Sequence, residues 1–154
     1  MSGPAAPGTH EAPADQRHGL ALFAYGTLTF APVVDALLGR RPPVTSAVVP
    51  GWRAARLPGR PYPGLVPAPD GRASGLLLSG LTPVEWALLD SWEGDPYLVR
   101  RVRTSATEAS GPASGLFAFT YTWRAVDEAA PDDWDRSRFA DEWLDRYVTR
   151  LRGS

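Results

Sequence analysis

Few side chains of this protein could carry out covalent or acid–base chemistry. The sequence contains no cysteine, and its two histidines, His10 and His18, both lie near the N-terminus. This composition excludes thiolate chemistry, and it argues against a histidine triad or a His-ligated metal in the rest of the chain. Carboxylates, hydroxyls, arginines and backbone groups are therefore the candidates for chemistry.

Glu93 is the most informative of the ionisable residues. It ends a helical pattern that starts at Thr82, and it is flanked by Trp92 and Tyr97. A carboxylate beside aromatic rings, at the negative end of a helix, loses hydration and meets an unfavourable dipole. Both effects raise its pKa towards the range that suits general acid–base catalysis. The alternative is an exposed glutamate at a helix end, solvated and inert.

A glycine turn near the start of the chain could bind an anion through its backbone. Leu20 to Ala24 is a short apolar run, typical of a strand buried on both faces, and Tyr25 to Thr27 interrupts it. Pro32 to Leu38 then has helical spacing and is closed by Gly39. A buried strand that ends in such a turn directs backbone N–H groups into a concavity, where they can hold an anion or a developing oxyanion.

Length and composition predict one globular domain. The chain has 154 residues, of which 44% are hydrophobic. Its net charge of −1 argues against non-specific nucleic-acid binding, and its basic residues are all arginine. No apolar run is long enough to span a bilayer, and no signal-peptide pattern is present, so we expect a soluble cytoplasmic protein without a membrane partner. Residues 1–19, rich in Ala, Pro and Gly, predict a disordered tail, and residues 20–152 predict a single domain.

The remaining pattern predicts an α+β domain, a small mixed β-barrel with flanking helices. Alternating or continuous apolar runs predict strands at Ala47–Val49, Trp52–Leu57, Ala73–Leu81, Tyr97–Thr104 and Leu116–Trp123.

Helix-capping and turn signals complete this prediction. Thr82, Pro83 and Glu85 form a capping-box start for the helix that carries Glu93. A last helix is predicted after a cap at Asp132 or Asp133, with an apolar stripe of Phe139, Trp143, Tyr147 and Leu151. Between the strands, Pro58–Pro67 predicts an extended loop and Pro69–Arg72 predicts a turn.

Three segments resemble the γ-glutamylcyclotransferase-like (AIG2-like) family. Phe23–Leu28 (Phe-Ala-Tyr-Gly-Thr-Leu) looks like its Tyr-Gly-(Ser/Thr)-Leu signature, and Pro61–Pro67 resembles its proline-rich loop. Leu89–Gly94, with Tyr97, is similar to its Leu-Asp-x-(Phe/Trp/Tyr)-Glu-Gly-x-x-Tyr segment. The four-residue signature alone is weak, but three segments in this order across roughly Leu20 to Val126 are more specific.

The resemblance implies a compact barrel with a pocket between the glycine turn and Glu93. In that family the α-amine of a γ-glutamyl group attacks its own γ-carbonyl, which releases an amine or amino acid and leaves 5-oxoproline. Glu93 would be the catalytic acid and base, and no metal or organic cofactor is implied. The only partner implied is a small γ-glutamyl substrate. Substrate-binding positions would be Tyr25, Gly26, Thr27, Leu28, Tyr62, Pro63, Gly64 and Tyr97.

One position departs from the family pattern, and other functions stay open. The family usually carries an arginine two residues after the tyrosine, where this chain has Val99, with Arg100 and Arg101 following. A slip of one residue reverses the face of the strand, so no substrate role is predicted for these arginines. The alternatives are a non-catalytic module that binds a small carboxylate or a protein, and a related ring closure or amide cleavage. The pattern specifies neither the leaving group nor the oligomeric state.

Overall fold

One curled mixed sheet organises the protein. The computed structural model describes residues 12–14, 17, 19–106 and 117–153. In this part of the chain the strands are β1 (Leu22–Ala24), β2 (Val44–Arg56), β3 (Pro63–Leu78), β4 (Tyr97–Arg103), β5 (Ser105–Ala106) and β6 (Phe117–Trp123). Their order in the sheet is β4-β6-β1-β3-β2-β5.

The length of β3 gives the sheet its curvature. It runs antiparallel to β2, while its far end also pairs with β1, where Leu78 lies opposite Leu22. Near its beginning β3 pairs with β6 in parallel, where Leu65 lies opposite Thr122. The outer strands β4 and β5 stand at opposite edges, so the sheet curls without closing. The predicted α+β fold with flanking helices is confirmed, and the term barrel describes only this curvature.

Strand β1 is buried on both faces, as its apolar run predicted. Leu22 and Ala24 belong to a core shared with the helices, whereas Phe23 and Tyr25 belong to a second core on the other side of the sheet. Alternation of side chains along a strand produces this division. The glycine turn therefore starts from a strand that both cores hold in place.

Four helices flank the sheet in the described residues: α1 (Ala31–Leu38), α2 (Pro83–Glu93), α3 (Arg136–Glu142) and α4 (Leu144–Arg152). The predicted capping box opens α2, because Thr82 Oγ1 accepts from the Glu85 N–H at 3.1 Å and the Glu85 carboxylate accepts from the Thr82 N–H at 3.0 Å. Gly94 ends this helix at φ 79°. No helix in this part of the chain is both long and apolar enough to cross a bilayer.

The extended loop predicted at Pro58–Pro67 is wrong in its second half. Strand β3 already begins at Pro63, which lies opposite Arg56 of β2. Proline cannot donate to a ladder and usually marks an edge or a loop, so the local composition argued against a strand here. Pairing with β2, a contact distant in the sequence, outweighs that local signal.

The turn predicted at Pro69–Arg72 is also wrong, because β3 continues through it. The register nevertheless breaks at this place, since Pro67 pairs with Trp52 while Arg72 pairs with Pro50. Residues 68–71 thus bulge from the ladder opposite Gly51, which has φ 86°. The turn residues produce a bulge within a strand instead of a reversal of the chain.

The predicted last helix is two helices, and its predicted cap is wrong. The helical path breaks at Trp143, between α3 and α4. The cap is Asp135, whose carboxylate accepts from the Arg138 N–H at 3.0 Å. Asp132 and Asp133 instead form ion pairs with arginines of β2, at 2.7 and 3.1 Å. These ion pairs join residues far apart in the sequence, which local capping rules do not consider.

Three described residues of the predicted tail, Ala12, Ala14 and Arg17, are part of the packed structure. Arg17 is completely buried, and its guanidinium lies 5.0 Å from the centre of the Trp86 ring. For the other residues of the segment that lie outside the described part, including His10 and His18, the disordered tail stays a prediction. Leu116, the first residue of the last predicted strand, also lies outside it.

Candidate active site

A narrow cavity joins three segments that the sequence resemblance had singled out. It lies between the turn after β1, the beginning of β3 and the end of α2, and its volume is about 20 Å³. Eight of the nine predicted site residues line it: Tyr25, Gly26, Thr27, Leu28, Tyr62, Pro63, Glu93 and Tyr97. Tyr62 and Glu93 are the half-buried members of the lining, so they mark its mouth.

The turn after β1 presents main chain to this cavity. A short 3₁₀ turn covers Thr27–Thr29, and its first internal hydrogen bond runs from Thr29 N–H to the Gly26 carbonyl at 3.0 Å. The N–H groups of Thr27 and Leu28 precede that bond and have no acceptor within the turn. A Cβ at Gly26 would lie 2.7 Å from Pro63 Cγ, so glycine allows the turn and β3 to approach each other.

Gly64 is the predicted site residue that does not line the cavity. A Cβ built there would lie 2.6 Å from Cβ of Trp123. The missing side chain thus makes room for Trp123, whose ring packs edge-on against Tyr97 at 5.1 Å. Gly64 supports the wall of the cavity from behind.

The electrostatics of Glu93 agree in direction with the prediction from sequence. Removal from water raises its pKa to about 8, and the negative charge of Asp90, one turn earlier on α2, adds to the rise. At neutral pH the carboxyl group is therefore mostly protonated, yet it can ionise within the physiological range. Such a group can both take and give a proton.

The hydroxyl groups of two predicted tyrosines already bond to the backbone. Tyr25 donates to the Tyr121 carbonyl and accepts from the Leu65 N–H at 3.3 Å. Tyr97 donates to the Pro63 carbonyl at 2.7 Å. Burial raises the pKa of both phenols above their ordinary value, so they stay neutral. These tyrosines fix the two walls of the cavity relative to each other.

The sequence analysis missed Tyr121 and Asp90 as site residues. Tyr121 lines the cavity, and its hydroxyl donates to Asp90 Oδ1 at 2.6 Å. Asp90 comes three residues before Glu93, a spacing that places both on one helix face, and this spacing was the signal that could have found it. Tyr121 lies within the apolar strand predicted at Leu116–Trp123, and nothing in the local sequence indicates that its hydroxyl bonds to Asp90.

Tyr147 of α4 was also assigned to a core stripe, but it approaches the site. Its ring stands edge-on to Trp92 at 6.3 Å, and its hydroxyl contacts the side chain of Thr27. Burial and the charge of Glu93 raise its pKa to about 12. The C-terminal helix therefore contributes a neutral phenol beside the cavity.

The arginines near the family's usual position do not line the cavity. Arg100, Arg101 and Arg103 are all exposed on β4, an edge strand, whereas Val99 is buried. This agrees with the register argument made from the sequence.

Solved structures share this fold. A solution structure of an Arabidopsis thaliana protein has a TM-score of 0.64 at 27% identity, covering 91% of this chain and 93% of the other. A structure described as a gamma-glutamyl cyclotransferase has a TM-score of 0.54, covering 86% of each chain, and its 12% identity makes this a likeness of fold alone. The protein thus has the fold of the γ-glutamylcyclotransferase-like class.

Sequence comparison identifies the family. The model of "Gamma-glutamyl cyclotransferase, AIG2-like" proteins matches residues 22–143. AIG2-like protein C of Arabidopsis thaliana is 35% identical over 134 residues, which cover 85% of this chain and 75% of that protein. AIG2-like protein A of the same organism is 34% identical over 122 residues, covering 79% and 70%. This chain belongs to the gamma-glutamyl cyclotransferase, AIG2-like family, which confirms the resemblance found in the three segments.

Proposed function

We propose that this protein releases 5-oxoproline from a γ-glutamyl amide or peptide by intramolecular aminolysis. The observation that supports this most is the carboxyl group of Glu93, which lines the same cavity as the glycine turn and whose pKa is raised to about 8 by removal from water. Family membership agrees with such a reaction.

Glu93 would move one proton in each direction. Its carboxylate takes a proton from the substrate's α-ammonium group, and the freed amine attacks the γ-carbonyl carbon to form the five-membered lactam. The bond from that carbon to the leaving nitrogen then breaks, and Glu93 returns the proton to this nitrogen. The ring nitrogen gives up its second proton, which the released amine takes up to become an ammonium group. No water is consumed and the carboxylate is regenerated. General acid–base help of this kind contributes about 100- to 10,000-fold.

The glycine turn would position the substrate. The N–H groups of Thr27 and Leu28 are suited to hold the α-carboxylate of a γ-glutamyl group. Holding that end brings amine and carbonyl together, and such positioning is a large part of the catalysis of a ring closure. A cavity of about 20 Å³ has room for about one water molecule, so side chains at its mouth must move before a substrate can enter. Tyr62, half-buried at the mouth, is the side chain whose movement would admit it.

Turnover of γ-glutamyl compounds tests this function. Purified protein is incubated with γ-glutamyl dipeptides, glutathione and γ-glutamylamines, and 5-oxoproline is measured by chromatography. We expect conversion of at least one class, with kcat/KM rising with pH and a midpoint near 8, because the free enzyme must ionise Glu93 to accept a proton. Glu142→Gln, an exposed glutamate on α3, serves as the control and should keep the profile.

Failure has a distinct signature. If no compound yields 5-oxoproline at any pH while calorimetry shows that γ-glutamyl ligands bind, the protein is a non-catalytic binding module. Absence of both turnover and binding would remove γ-glutamyl compounds as ligands altogether.

A further inference from the structure

We propose that Arg17, which precedes the first strand, is a positioning residue of the active site that acts through Asp90 on Tyr121 and Glu93. Its kinetic consequences rest on the proposed function, but its electrostatic consequences do not. Arg17 is not part of the three segments that resemble the family, because it precedes the first of these segments in the sequence.

A single carboxylate oxygen connects Arg17 to the cavity. Arg17 Nη1 donates to Asp90 Oδ1 at 2.7 Å, and the Tyr121 hydroxyl donates to the same oxygen at 2.6 Å. Tyr121 lines the cavity, and Asp90 precedes Glu93 by one turn of α2. The guanidinium therefore fixes the carboxylate that orients one wall of the site.

The surroundings hold Arg17 in one place. Its Nε donates to the Ala12 carbonyl at 2.8 Å, and its guanidinium stacks over Trp86 at 5.0 Å. Its side chain is fully buried, whereas that of Asp90 is about one-fifth exposed. A guanidinium with so little freedom is suited to set the position of another group.

Fold stability alone does not explain this arrangement. A buried ion pair often contributes no more than apolar residues of similar volume, because both charges lose their hydration. Arg17 Nη2 is in addition buried without a hydrogen-bond partner among the described residues, which is a net cost. Buried polar groups that lack a hydrogen-bond partner are expected at functional sites.

Asp90 is the group through which the charge of Arg17 reaches Glu93. Among the described residues, Glu93 faces the carboxylate of Asp90 and the phenol of Tyr62, with which it shares the mouth of the cavity. It also faces the neutral phenols of Tyr25, Tyr97, Tyr121 and Tyr147. The repulsion by Asp90 depends on the position of its carboxylate, which the guanidinium fixes. Loss of Arg17 would expose Glu93 to an uncompensated negative charge.

A mutant cycle measures this coupling. In Arg17→Met we expect kcat/KM to fall about tenfold and the midpoint of its pH profile to move up by about half a pH unit, because the Asp90 carboxylate is no longer held by the guanidinium and can turn its negative charge towards Glu93. Asp90→Asn should move the midpoint down, since it removes a negative charge. In the double variant the effect of Arg17→Met on the midpoint should be largely absent, which a general loss of packing would not produce.

An NMR titration and further variants test the coupling independently of the proposed function. The Glu93 midpoint is also read by carboxyl ¹³C NMR, which needs no turnover, so inactivity towards γ-glutamyl compounds would defeat the proposed function without deciding this coupling. Arg17→Gln removes the charge as Arg17→Met does and replaces it if the latter fails to fold. Arg17→Lys retains the charge, and its midpoint should stay nearer the wild-type value. Arg40→Met removes an arginine that pairs with Glu85 at 2.6 Å and should leave the midpoint unchanged. The proposal is overturned if Arg17→Met, or Arg17→Gln in its place, keeps the wild-type midpoint and rate, or if its effect persists undiminished with Asn at position 90.

Discussion

Glu93→Gln is expected to lower turnover about 100- to 10,000-fold and yet to stabilise the folded protein at alkaline pH. The amide keeps the size and the hydrogen-bonding reach of the side chain, but it cannot accept a proton from an ammonium group. Ground-state binding of a γ-glutamyl compound should change little, so the loss falls on kcat more than on KM.

The gain in stability follows from proton linkage. Folded Glu93 keeps its proton up to about pH 8, whereas the unfolded residue loses it near its ordinary pKa of 4.5. Between these values unfolding releases a proton, so the free energy of unfolding of the wild type falls as the pH rises. The glutamine variant lacks this slope and should gain about 2–4 kcal/mol relative to wild type between pH 5 and pH 9.

Denaturant unfolding at pH 5, 7 and 9 measures this difference. Glu142→Gln, on the exposed face of α3, should show no such trend. Full activity of Glu93→Gln, or a wild-type stability that does not fall with pH relative to the variant, would contradict the assignment of Glu93 as a buried acid and base.

Gly75→Ala is expected to destabilise the fold by about 3 kcal/mol and to disturb the site as well. A Cβ at position 75 would lie 2.0 Å from the Ala24 carbonyl oxygen, which is backbone and cannot rotate away. In an ordinary strand position the same change would be stabilising, because alanine loses less conformational freedom on folding than glycine. The clash must push β1 away from β3, and the turn that begins at Tyr25 would move with it.

Gly59→Ala is the matched control for this prediction. Gly59 has φ 79°, but nothing lies within 4 Å of a Cβ built there. It should therefore cost only about 1 kcal/mol, the strain of a left-handed backbone. Thermal unfolding of both variants gives the comparison, and a Gly75→Ala protein as stable as Gly59→Ala would show that β1 and β3 are less closely paired.

Local signals in the sequence predicted those parts of the fold that depend on neighbours along the chain. The capping box of Thr82 and Glu85 needs only four consecutive residues, and it is present as predicted. The two-sided burial of β1 follows from its continuous apolar run. The raised pKa of Glu93 was predictable in direction because its aromatic neighbours, which remove it from water, are visible in the sequence, whereas the contribution of Asp90 was missed.

Features that depend on distant partners were not predictable in this way. Strand β3 runs through a segment rich in proline because β2 pairs with it, and the polar functions of Arg17 and Tyr121 arise only where both meet Asp90. Tyr147 reaches the site because its ring on α4 packs against Trp92 of α2, a contact between residues far apart in the sequence. In each case the contact that determines the structure joins residues far apart in the sequence, so a short stretch of sequence could not reveal it.

A direct titration of Glu93 tests the central claim without knowledge of the substrate. Carboxyl ¹³C resonances of the labelled wild-type protein are followed from pH 4 to pH 10, and Glu93 is assigned by comparison with Glu93→Gln. The claim predicts a midpoint near pH 8 for this one resonance. A midpoint between about 4 and 5, the ordinary range of a solvated glutamate, would contradict it, because the carboxyl group would then be a surface charge and not the proton carrier at the mouth of the cavity.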